Sequence, residues 1–231
     1  LTALSHTKGV NTLAGYTWTY DSAGRITQFD STTDGTVDYS YDDTNQLTGA
    51  DYDYQTDESY SYDANGIRTM SGYATGDDNQ LTSDGTYRYL YDAEGNRTAR
   101  FVDVNTNGQL DSGDTNITEY TWDYRNRLTN VTERATYGGA ATKSTDFAYD
   151  YVNRLVSETA DPDGAGEEGA EETFFAYDGN QIALQFNGSE SSDLAHRYLW
   201  GPAVDQVLSD EQVTSLGTAG SVLWPLTDKL G

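Results

Sequence analysis

The sequence contains no cysteine, which excludes disulfide bonds and every site built on a thiolate. Its two histidines, His6 and His196, stand far apart in the chain. No metalloprotease, nucleophile-elbow, phosphate-loop or dinucleotide-binding motif occurs. No apolar run approaches the roughly 20 residues that span a bilayer as a helix. We therefore expect neither catalytic residues nor a membrane-spanning helix.

Basic residues are scarce as well, because 13 Lys and Arg stand against 38 Asp and Glu, for a net charge of -25. Binding to phosphate groups needs clusters of Lys and Arg, so this balance excludes nucleic acid as a partner and disfavours anionic membranes. Cations are the partners that such a charge favours. A strongly charged surface also keeps the edges of a sheet from associating, which is the simpler explanation of the charge as a whole.

Tyrosine, by contrast, is abundant, with 19 copies among 231 residues. Tyr and Thr favour pleated, half-buried surfaces, so the composition predicts an all-β protein. Disordered chains lack aromatic residues, whereas this chain has 13% of them spread along its length. We therefore expect a folded chain.

One short pattern, aromatic-x-aromatic-Asp, occurs seven times. Its copies end at Asp21, Asp42, Asp63, Asp92, Asp123, Asp150 and Asp178. The intervals between these aspartates are 21, 21, 29, 31, 27 and 28 residues. Tyr198 and Trp200 form an eighth copy that lacks the Asp. A recurring unit of this length predicts a repeat protein.

Six of the seven copies carry Gly or Asn three residues after the Asp. The Asp carboxylate can accept backbone N–H bonds inside a turn, and Gly or Asn tolerates the left-handed conformation that such a turn requires. Each copy is therefore predicted to form a strand, a tight turn and a second strand. The chain as a whole is predicted to be an array of antiparallel β-hairpins.

The i, i+2 spacing places both aromatic residues of a copy on one face of a strand. Small or hydroxylated residues such as Thr19 and Thr121 lie between them and would face the other way. This pattern predicts an aromatic ladder in which cross-strand pairs stabilise the sheet. The alternative is that rings such as Trp18, Tyr41 and Trp122 stack on polysaccharide from solvent.

The turn segments resemble the YD repeats of the Rhs family over nearly the whole chain: YDSAGRIT, YDDTNQLT, YDANGIRT, YDAEGNRT, WDYRNRLT and YDYVNRLV. RYLWGP at 197–202 and LWPLTDKLG at 223–231 resemble the segment that leads into the Rhs-associated core. The resemblance implies a YD-repeat sheet over 1–200 and the start of a core-like segment over 201–231. It also implies that the chain is a piece of a larger Rhs-like protein.

The resemblance further implies a fold, because Rhs proteins form long antiparallel sheets that curve or spiral. In large toxins of the family these sheets close into a hollow shell around a C-terminal effector, and related shells occur in insecticidal toxin complexes and animal teneurins. About eight hairpins are too few to close a shell. We therefore expect an open sheet or a partial shell.

Between the fourth and fifth copies lies DVNTNGQLDSGD, residues 103–114. This segment matches the loop of calcium sites, which places oxygen ligands at alternate positions and a glycine, here Gly108, at the sharp turn. The predicted Ca2+ ligands are Asp103, Asn105, Asn107, Asp111 and Asp114, with the carbonyl of Gln109. Asp replaces the usual Glu at the twelfth position, as in the dockerin-like loops that this segment resembles. A polar hairpin tip without a cation is the alternative.

Two further acidic loops, 30–38 and 161–172, have spacings that are less faithful to a cation site. Both are predicted to be solvated acidic loops.

The sequence thus predicts a non-enzymatic structural scaffold, extracellular or on a bacterial cell surface, stiffened by calcium. Three alternatives remain open. The repeats could stack end to end into a filament of copies of this chain, bind carbohydrate, or form the wall of a shell that encloses a toxin.

Overall fold

A computed structural model describes residues 1–202 and 206–225 of the chain. All strand pairs are antiparallel, and the strands form two open sheets. Within the described residues, the chain divides into two compact units, residues 1–71 and residues 72–225. The predicted all-β class with an open sheet is confirmed.

The first unit is a six-stranded sheet in which strands adjacent in sequence are adjacent in space. Its strands are β1 Ala3–Lys8, β2 Asn11–Tyr20, β3 Ile26–Ser31, β4 Gly35–Tyr41, β5 Leu47–Tyr52 and β6 Glu58–Ser59. Beyond β6, an isolated bridge pairs Tyr62 with Arg68.

The second unit is a thirteen-stranded sheet with the same sequential order. Its first strands are β7 Tyr73–Thr75, β8 Leu81–Asp84, β9 Arg88–Tyr91, β10 Arg97–Val102, β11 Thr115–Trp122, β12 Leu128–Thr136 and β13 Ala141–Tyr149. Its last strands are β14 Leu155–Asp161, β15 Glu171–Asp178, β16 Gln181–Phe186, β17 Leu194–Trp200, β18 Val207–Gln212 and β19 Ser221–Leu223. Single 3-10 turns at Asp77–Asn79 and Ser191–Asp193 interrupt the strands. None of the helical segments in the described part of the chain is long or apolar enough to cross a membrane.

Because the strands run in order, the connections in each sheet alternate between the two ends of the strands. In each sheet the YD turns, such as the one between β2 and β3, lie at one end, which we call the turn end. The loops that lead from one hairpin to the next lie at the other end, the loop end, and their lengths account for the uneven intervals between the repeats.

Burial alternates along the strands that carry the predicted aromatic ladder, as the i, i+2 spacing requires. In β2, Trp18 is buried and Tyr20 is half-buried, whereas Thr19 between them is exposed. In β13, Phe147 and Tyr149 are half-buried and flank an exposed Ala148.

In seven of the eight copies, the second aromatic also forms a hydrogen bond that the spacing did not reveal. Its side chain reaches across to the preceding hairpin and donates to a backbone carbonyl, as Tyr149 does to Leu128 at 2.9 Å. Equivalent bonds run from Tyr20 to Leu1, Tyr41 to Ile26, Tyr91 to Leu81, Trp122 to Arg97, Tyr177 to Leu155 and Trp200 to Ile182. Trp200 therefore acts as the eighth copy that the sequence predicts. Successive hairpins are tied together by side chains as well as by the backbone ladder.

One hairpin escaped the sequence pattern. Gly76 donates its N–H to the carbonyl of Gln80 at 2.8 Å, as Asp21 does to Arg25 at 3.0 Å in the first turn. The segment 73–82, YATGDDNQLT, is therefore a degenerate copy in which Thr75 replaces the second aromatic and Gly76 replaces the Asp. It explains the first long interval between the aspartates.

A small apolar cluster lies at one end of the β10–β11 pair. Ala99, Phe101 and Ile117 are buried, and Leu90 and Leu110 pack against them. Leu110 belongs to the loop 103–114, so the cluster anchors that loop to the sheet.

The predicted boundary at residue 200 stays a prediction. Strands β18 and β19 extend the sheet beyond it. Residues 203–205 and 226–231 of the predicted core-like segment lie outside the described residues.

We expect the Tyr149→Phe variant to lose about 1 kcal/mol of unfolding free energy, because it removes one hydrogen bond to a backbone carbonyl. Tyr151→Phe is the matched control, since Tyr151 is 84% exposed. Urea unfolding measures both variants. Equal stability of the two would contradict a structural role for the Tyr149 hydroxyl.

Candidate functional site

The turn aspartates make the same contacts in six copies. In the first turn, one carboxylate oxygen of Asp21 accepts the N–H groups of Ala23 at 2.9 Å and Arg25 at 3.0 Å. The residue before Arg25, Gly24, has a positive φ of 81°, which glycine adopts without strain. Asp42, Asp63, Asp92, Asp123 and Asp150 accept the equivalent pairs of N–H groups. The turn role predicted for these aspartates is confirmed.

These contacts stabilise the charged form of the carboxylates. The Arg25 backbone N–H, and then its side chain, lower the pKa of Asp21. The Arg127 side chain is the main cause that lowers the pKa of Asp123. The pKa of Asp150 is lowered too: burial acts to raise it, but the hydrogen bonds from Arg154 and Val152 together outweigh burial.

In several copies the residue four positions after the Asp links its turn to the next one. Arg127 donates from Nε to Asp123 at 2.7 Å, and its Nη1 donates to the carbonyl of Asp150 in the following turn at 3.0 Å. Its guanidinium also lies 5.0 Å from the ring centre of Tyr149. Arg25 and Arg154 make the same three kinds of contact. We call this position the relay residue, because it joins two turns and one aromatic ring.

Other polar side chains take the relay position in the remaining copies. Asn96 donates to Asp92 and to Asn126 of the next turn, both at 3.0 Å. Gln46 and Gln80 lie against the glycines of their next turns, Gly66 and Gly95, where an added Cβ would stand 2.8 and 3.4 Å from the amide nitrogens.

At Ile67 the relay position is aliphatic and has no group to donate. The sheet of the first unit ends next to this turn, and the sheet of the second unit begins at β7. The next copy, 73–82, also lacks the aromatic and the Asp that would receive a relay. The division of the chain at residues 71 and 72 thus follows the one regular turn whose relay position is aliphatic.

The predicted calcium ligands lie in the loop between β10 and β11, at the loop end of the sheet. Asp103 accepts the N–H groups of Gly108 at 2.8 Å and Asn107 at 3.2 Å. The amides of Asn105 and Asn107 donate to the two oxygens of Asp111 at 2.9 and 2.7 Å. The side chains of Asn105, Asn107 and Asp111 thus contact one another. Asp103 instead binds the backbone of the sharp turn.

Asp114 behaves differently from the other predicted ligands. It is completely buried, and its two oxygens accept the N–H groups of Val104 at 3.1 Å and Asp111 at 2.8 Å. It therefore closes the two ends of the loop upon each other. Gln109 follows the sharp turn and donates its N–H to Asn107 at 2.7 Å.

A cation of the protein already lies beside this loop. The Arg88 Nε is 3.6 Å from an oxygen of Asp103, whose side chain is only 5% exposed. A Cβ on Gly108 would stand 2.5 Å from the Arg88 guanidinium, and Gly108 has φ +76°, so two constraints favour glycine there. Nothing in the sequence pattern pointed to Arg88, which precedes the loop on a different strand.

The donor set is suited to a hard cation through mixed oxygens. Within residues 1–202 and 206–225, no three His, Cys, Asp or Glu side chains form a cluster that could hold a metal. Any metal bound at 103–114 must therefore use amide and backbone oxygens beside the carboxylates, as Ca2+ does in proteins.

The two weaker acidic loops are closed by their own hydrogen bonds. In 30–38, Asp34 accepts from Ser31 at 2.9 Å, and Asp30 accepts from Thr36 at 2.9 Å. In 161–172, Asp161 accepts the N–H of Gly164 at 2.8 Å, and Asp163 that of Glu168 at 3.1 Å.

The aromatic rings proposed as polysaccharide stackers are occupied by the fold. Trp18 is only 7% exposed. Tyr41 donates to Ile26, and Arg25 lies over its ring. Trp122 is half-buried and donates to Arg97. These three rings are therefore engaged in contacts within the sheet.

We expect the stability that the turn aspartates contribute to disappear in acid. The folded-state pKa values are lowered for five of them: Asp21, Asp42, Asp92, Asp123 and Asp150. Their contribution is therefore fully present above the ordinary aspartate pKa of about 3.9 and is lost as the pH falls through the lowered values. The Asp123→Asn variant should melt well below the wild type at neutral pH, and the gap should shrink below about pH 4. Thermal melts of both proteins across pH measure this gap. A gap independent of pH would contradict the charged turn contacts.

No protein-family model and no curated protein sequence matches the chain. Solved structures of toxin complexes do match it. A crystal structure of TcdB2-TccC3 without its hypervariable C-terminal region has a TM-score of 0.51 and 14% identity, over 94% of this chain and 13% of that chain.

Two further structures match more weakly. TcdB2-TccC3-TEV has a TM-score of 0.42 and 14% identity, over 90% of this chain and 9% of that one. A Photorhabdus luminescens Tc holotoxin pore has a TM-score of 0.32 and 14% identity, over 86% of this chain and 15% of that one. The first match shows a shared fold, and this chain spans only 13% of the length of that protein. The chain is thus similar in fold to one section of a much larger toxin-complex protein, which agrees loosely with an Rhs-like relation.

Proposed function

We propose that this chain is a non-catalytic structural scaffold of the Rhs type, working as one section of the wall of a larger shell. The observation that carries the proposal is the relay of side chains from turn to turn. The relay arginines each donate a hydrogen bond to a backbone carbonyl in the next turn: Arg25, Arg127 and Arg154. Side chains that hold repeats together in this way are committed to structure.

The fold similarity to TcdB2-TccC3 supports the wall assignment. An ordered row of hairpins buries its aromatic ladder only when neighbours stack, so such a section is stabilised by the repeats beside it. An extracellular or cell-surface location belongs to the same proposal, and the charge of -25, which favours a solvated surface, is compatible with it.

Sedimentation velocity at rising protein concentration separates the wall section from a filament subunit. A wall section is expected to keep a constant sedimentation coefficient, because copies with a net charge of -25 repel one another. The filament alternative requires growth with concentration and rods in electron micrographs. Such growth at physiological salt would replace the wall proposal by the filament.

The second part of the proposal is that the loop 103–114 binds Ca2+. Its support is that the side-chain amides of Asn105 and Asn107 contact the two oxygens of Asp111. Asp103 lies in the same loop and accepts N–H groups from its sharp turn. A cation would take the place of these N–H groups, with the carbonyl of Gln109 as a further ligand. Asp114 would position the loop through its backbone contacts.

Arg88 sets the affinity in this proposal, because its positive charge stands beside Asp103 and repels an incoming cation. Bound Ca2+ would fix a loop that is anchored on the apolar cluster through Leu110. The expected benefit is therefore stability of the β10–β11 pair.

We expect added Ca2+ to raise the melting temperature, by an amount equivalent to about 2.7 kcal/mol at a hundredfold excess over Kd. Asp103→Asn and Asp111→Asn should each abolish the rise, whereas the control Asp51→Asn, in strand β5, should retain it. Differential scanning calorimetry with and without chelator measures the effect.

The Arg88→Gln variant provides the converse test, since it should bind Ca2+ more tightly than the wild type in isothermal titration calorimetry. An intact protein that shows neither heat of binding nor thermal shift with Ca2+ would refute the cation part and leave the scaffold part standing.

A further inference from the structure

One junction between neighbouring turns has a neutral residue where its equivalents have a guanidinium. The relay position holds arginine at three junctions: Arg25, Arg127 and Arg154. Between the turns of Asp42 and Asp63 it holds Gln46, which is shorter and uncharged. A surface cleft of about 530 Å³ lies at this junction, and Gln46 is one of its lining residues. We call it the Gln46 cleft.

The groups that hold a relay arginine are all present in the Gln46 cleft. At the three arginine junctions, the guanidinium contacts the second carboxylate oxygen of its turn aspartate, a carbonyl of the next turn and the ring of the next tyrosine. The equivalent residues for Gln46 are Asp42, Asp63 and Tyr62, and all three line the cleft. Three other junctions of the same chain therefore show which chemical group this arrangement binds.

These acceptors are still able to receive a hydrogen bond. One carboxylate oxygen of Asp42 accepts the N–H groups of Thr44 and Gln46, both at 2.9 Å, and within the described residues no hydrogen bond ends on the other oxygen. The carbonyl of Asp63 accepts the N–H of Gly66 at 3.0 Å, and a carbonyl oxygen has two lone pairs. A donor from outside the chain can therefore bind both groups without displacing a contact of the fold.

The charge of the Gln46 cleft favours a cation, and its shape favours a planar one. Three carboxylates line it: Asp42, Asp43 and Asp63. No Lys or Arg belongs to its lining in the part of the chain that the structure describes. Charge alone would not select a ligand, because acidic loops recur along this chain. The ring of Tyr62 adds the selection, since a planar cation can lie over its face.

We propose that the Gln46 cleft binds the side chain of an arginine from another polypeptide. The guanidinium can stack on Tyr62 while its N–H groups donate to the Asp42 carboxylate and to the carbonyl of Asp63, as the relay arginines do at their own junctions. A lysine ammonium is a compact and strongly hydrated charge, so it cannot stack and donate in this way.

A metal ion fits the cleft less well than a guanidinium does. Across residues 1–202 and 206–225, no three His, Cys, Asp or Glu side chains stand close enough together to hold one. A metal would also leave the face of the Tyr62 ring unused. The carboxylates of the cleft are thus spread out for a ligand with several donors.

This site goes beyond the scaffold function, because it joins the sheet to a second polypeptide. The row of relay contacts runs from Arg25 to the turn of Asp42, and Gln46 does not continue it with a charge. An arginine supplied by a partner would extend the row by one junction. Binding should therefore stabilise the turns on both sides of the cleft.

The test is an NMR titration of the full isotope-labelled chain with three capped tripeptides, acetyl-Gly-Xaa-Gly-amide, in which Xaa is arginine, lysine or citrulline. The arginine peptide should shift the amide signals of Asp63 and Gly66 and bind about tenfold more tightly than the lysine peptide. The citrulline peptide, which has the shape of arginine without its charge, should not bind. Equal affinities for arginine and lysine, or no binding of the arginine peptide, would overturn the proposal.

The Gln46→Arg variant should fill the cleft from within, so it should abolish binding of the arginine peptide and raise the melting temperature. Gln80→Arg is the matched control, because it adds the same charge at a relay position of the other sheet and should bind as the wild type does. Binding that persists in Gln46→Arg would refute the site. An equal loss in both variants would reduce the effect to the overall charge and refute it as well.

A second pair of variants keeps the test decisive if Gln46→Arg does not fold. Asp43 lines the cleft and is exposed, so Asp43→Asn should keep the wild-type melting temperature and weaken binding of the arginine peptide several-fold. Asp51→Asn removes the same charge from an exposed position in β5, outside the cleft, and should leave the Kd unchanged. If the two variants had the same Kd, the cleft would not be the binding site.

Discussion

The turn aspartate carboxylate is the contact on which the rest of the array depends. One of its oxygens closes the turn through two backbone N–H groups, and where the relay residue is arginine the other oxygen holds the guanidinium. That guanidinium then reaches the next turn and lies over the next tyrosine. A single short side chain thus shapes its own hairpin and orients the residue that aligns the following one. Loss of the charge would therefore weaken two hairpins together.

Stability in this protein is distributed along the row of turns. The apolar cluster is small, with Ala99, Phe101 and Ile117 as its buried members. Most hairpins instead rely on half-buried rings, charged hydrogen bonds and carbonyl contacts to their neighbours. Where the relay residue becomes Ile67, the sheet ends. Because each repeat contacts only its neighbours, the stability of each interface between hairpins depends on the side chains at that interface.

Much of the hairpin array could be predicted from the spacing of residues in the sequence. The i, i+2 aromatics and the Asp-x-x-Gly/Asn turns predicted the hairpins because both are local rules of backbone geometry. The hairpin at 73–82 was missed because its backbone forms the same turn without the aromatic and the Asp. The relay of Arg127 was missed because it joins residues more than twenty positions apart. For the loop 103–114, the predicted Ca2+ ligands stay a prediction. Spacing could not reveal Arg88, which reaches Asp103 from another strand.

The connections at the two ends of the strands differ in how much their length varies. At the turn end, the six regular turns all have the same length, which the aspartate fixes through its two backbone contacts. At the loop end, the length of the connections ranges from the two residues between β1 and β2 to the twelve of 103–114. Length on that side changes neither the pairing nor the ladder. An added peptide, a binding loop or an entire inserted domain can therefore be accepted there while the sheet keeps its register. In each sheet the loop end is free to diversify in sequence and length, whereas the turn end is not.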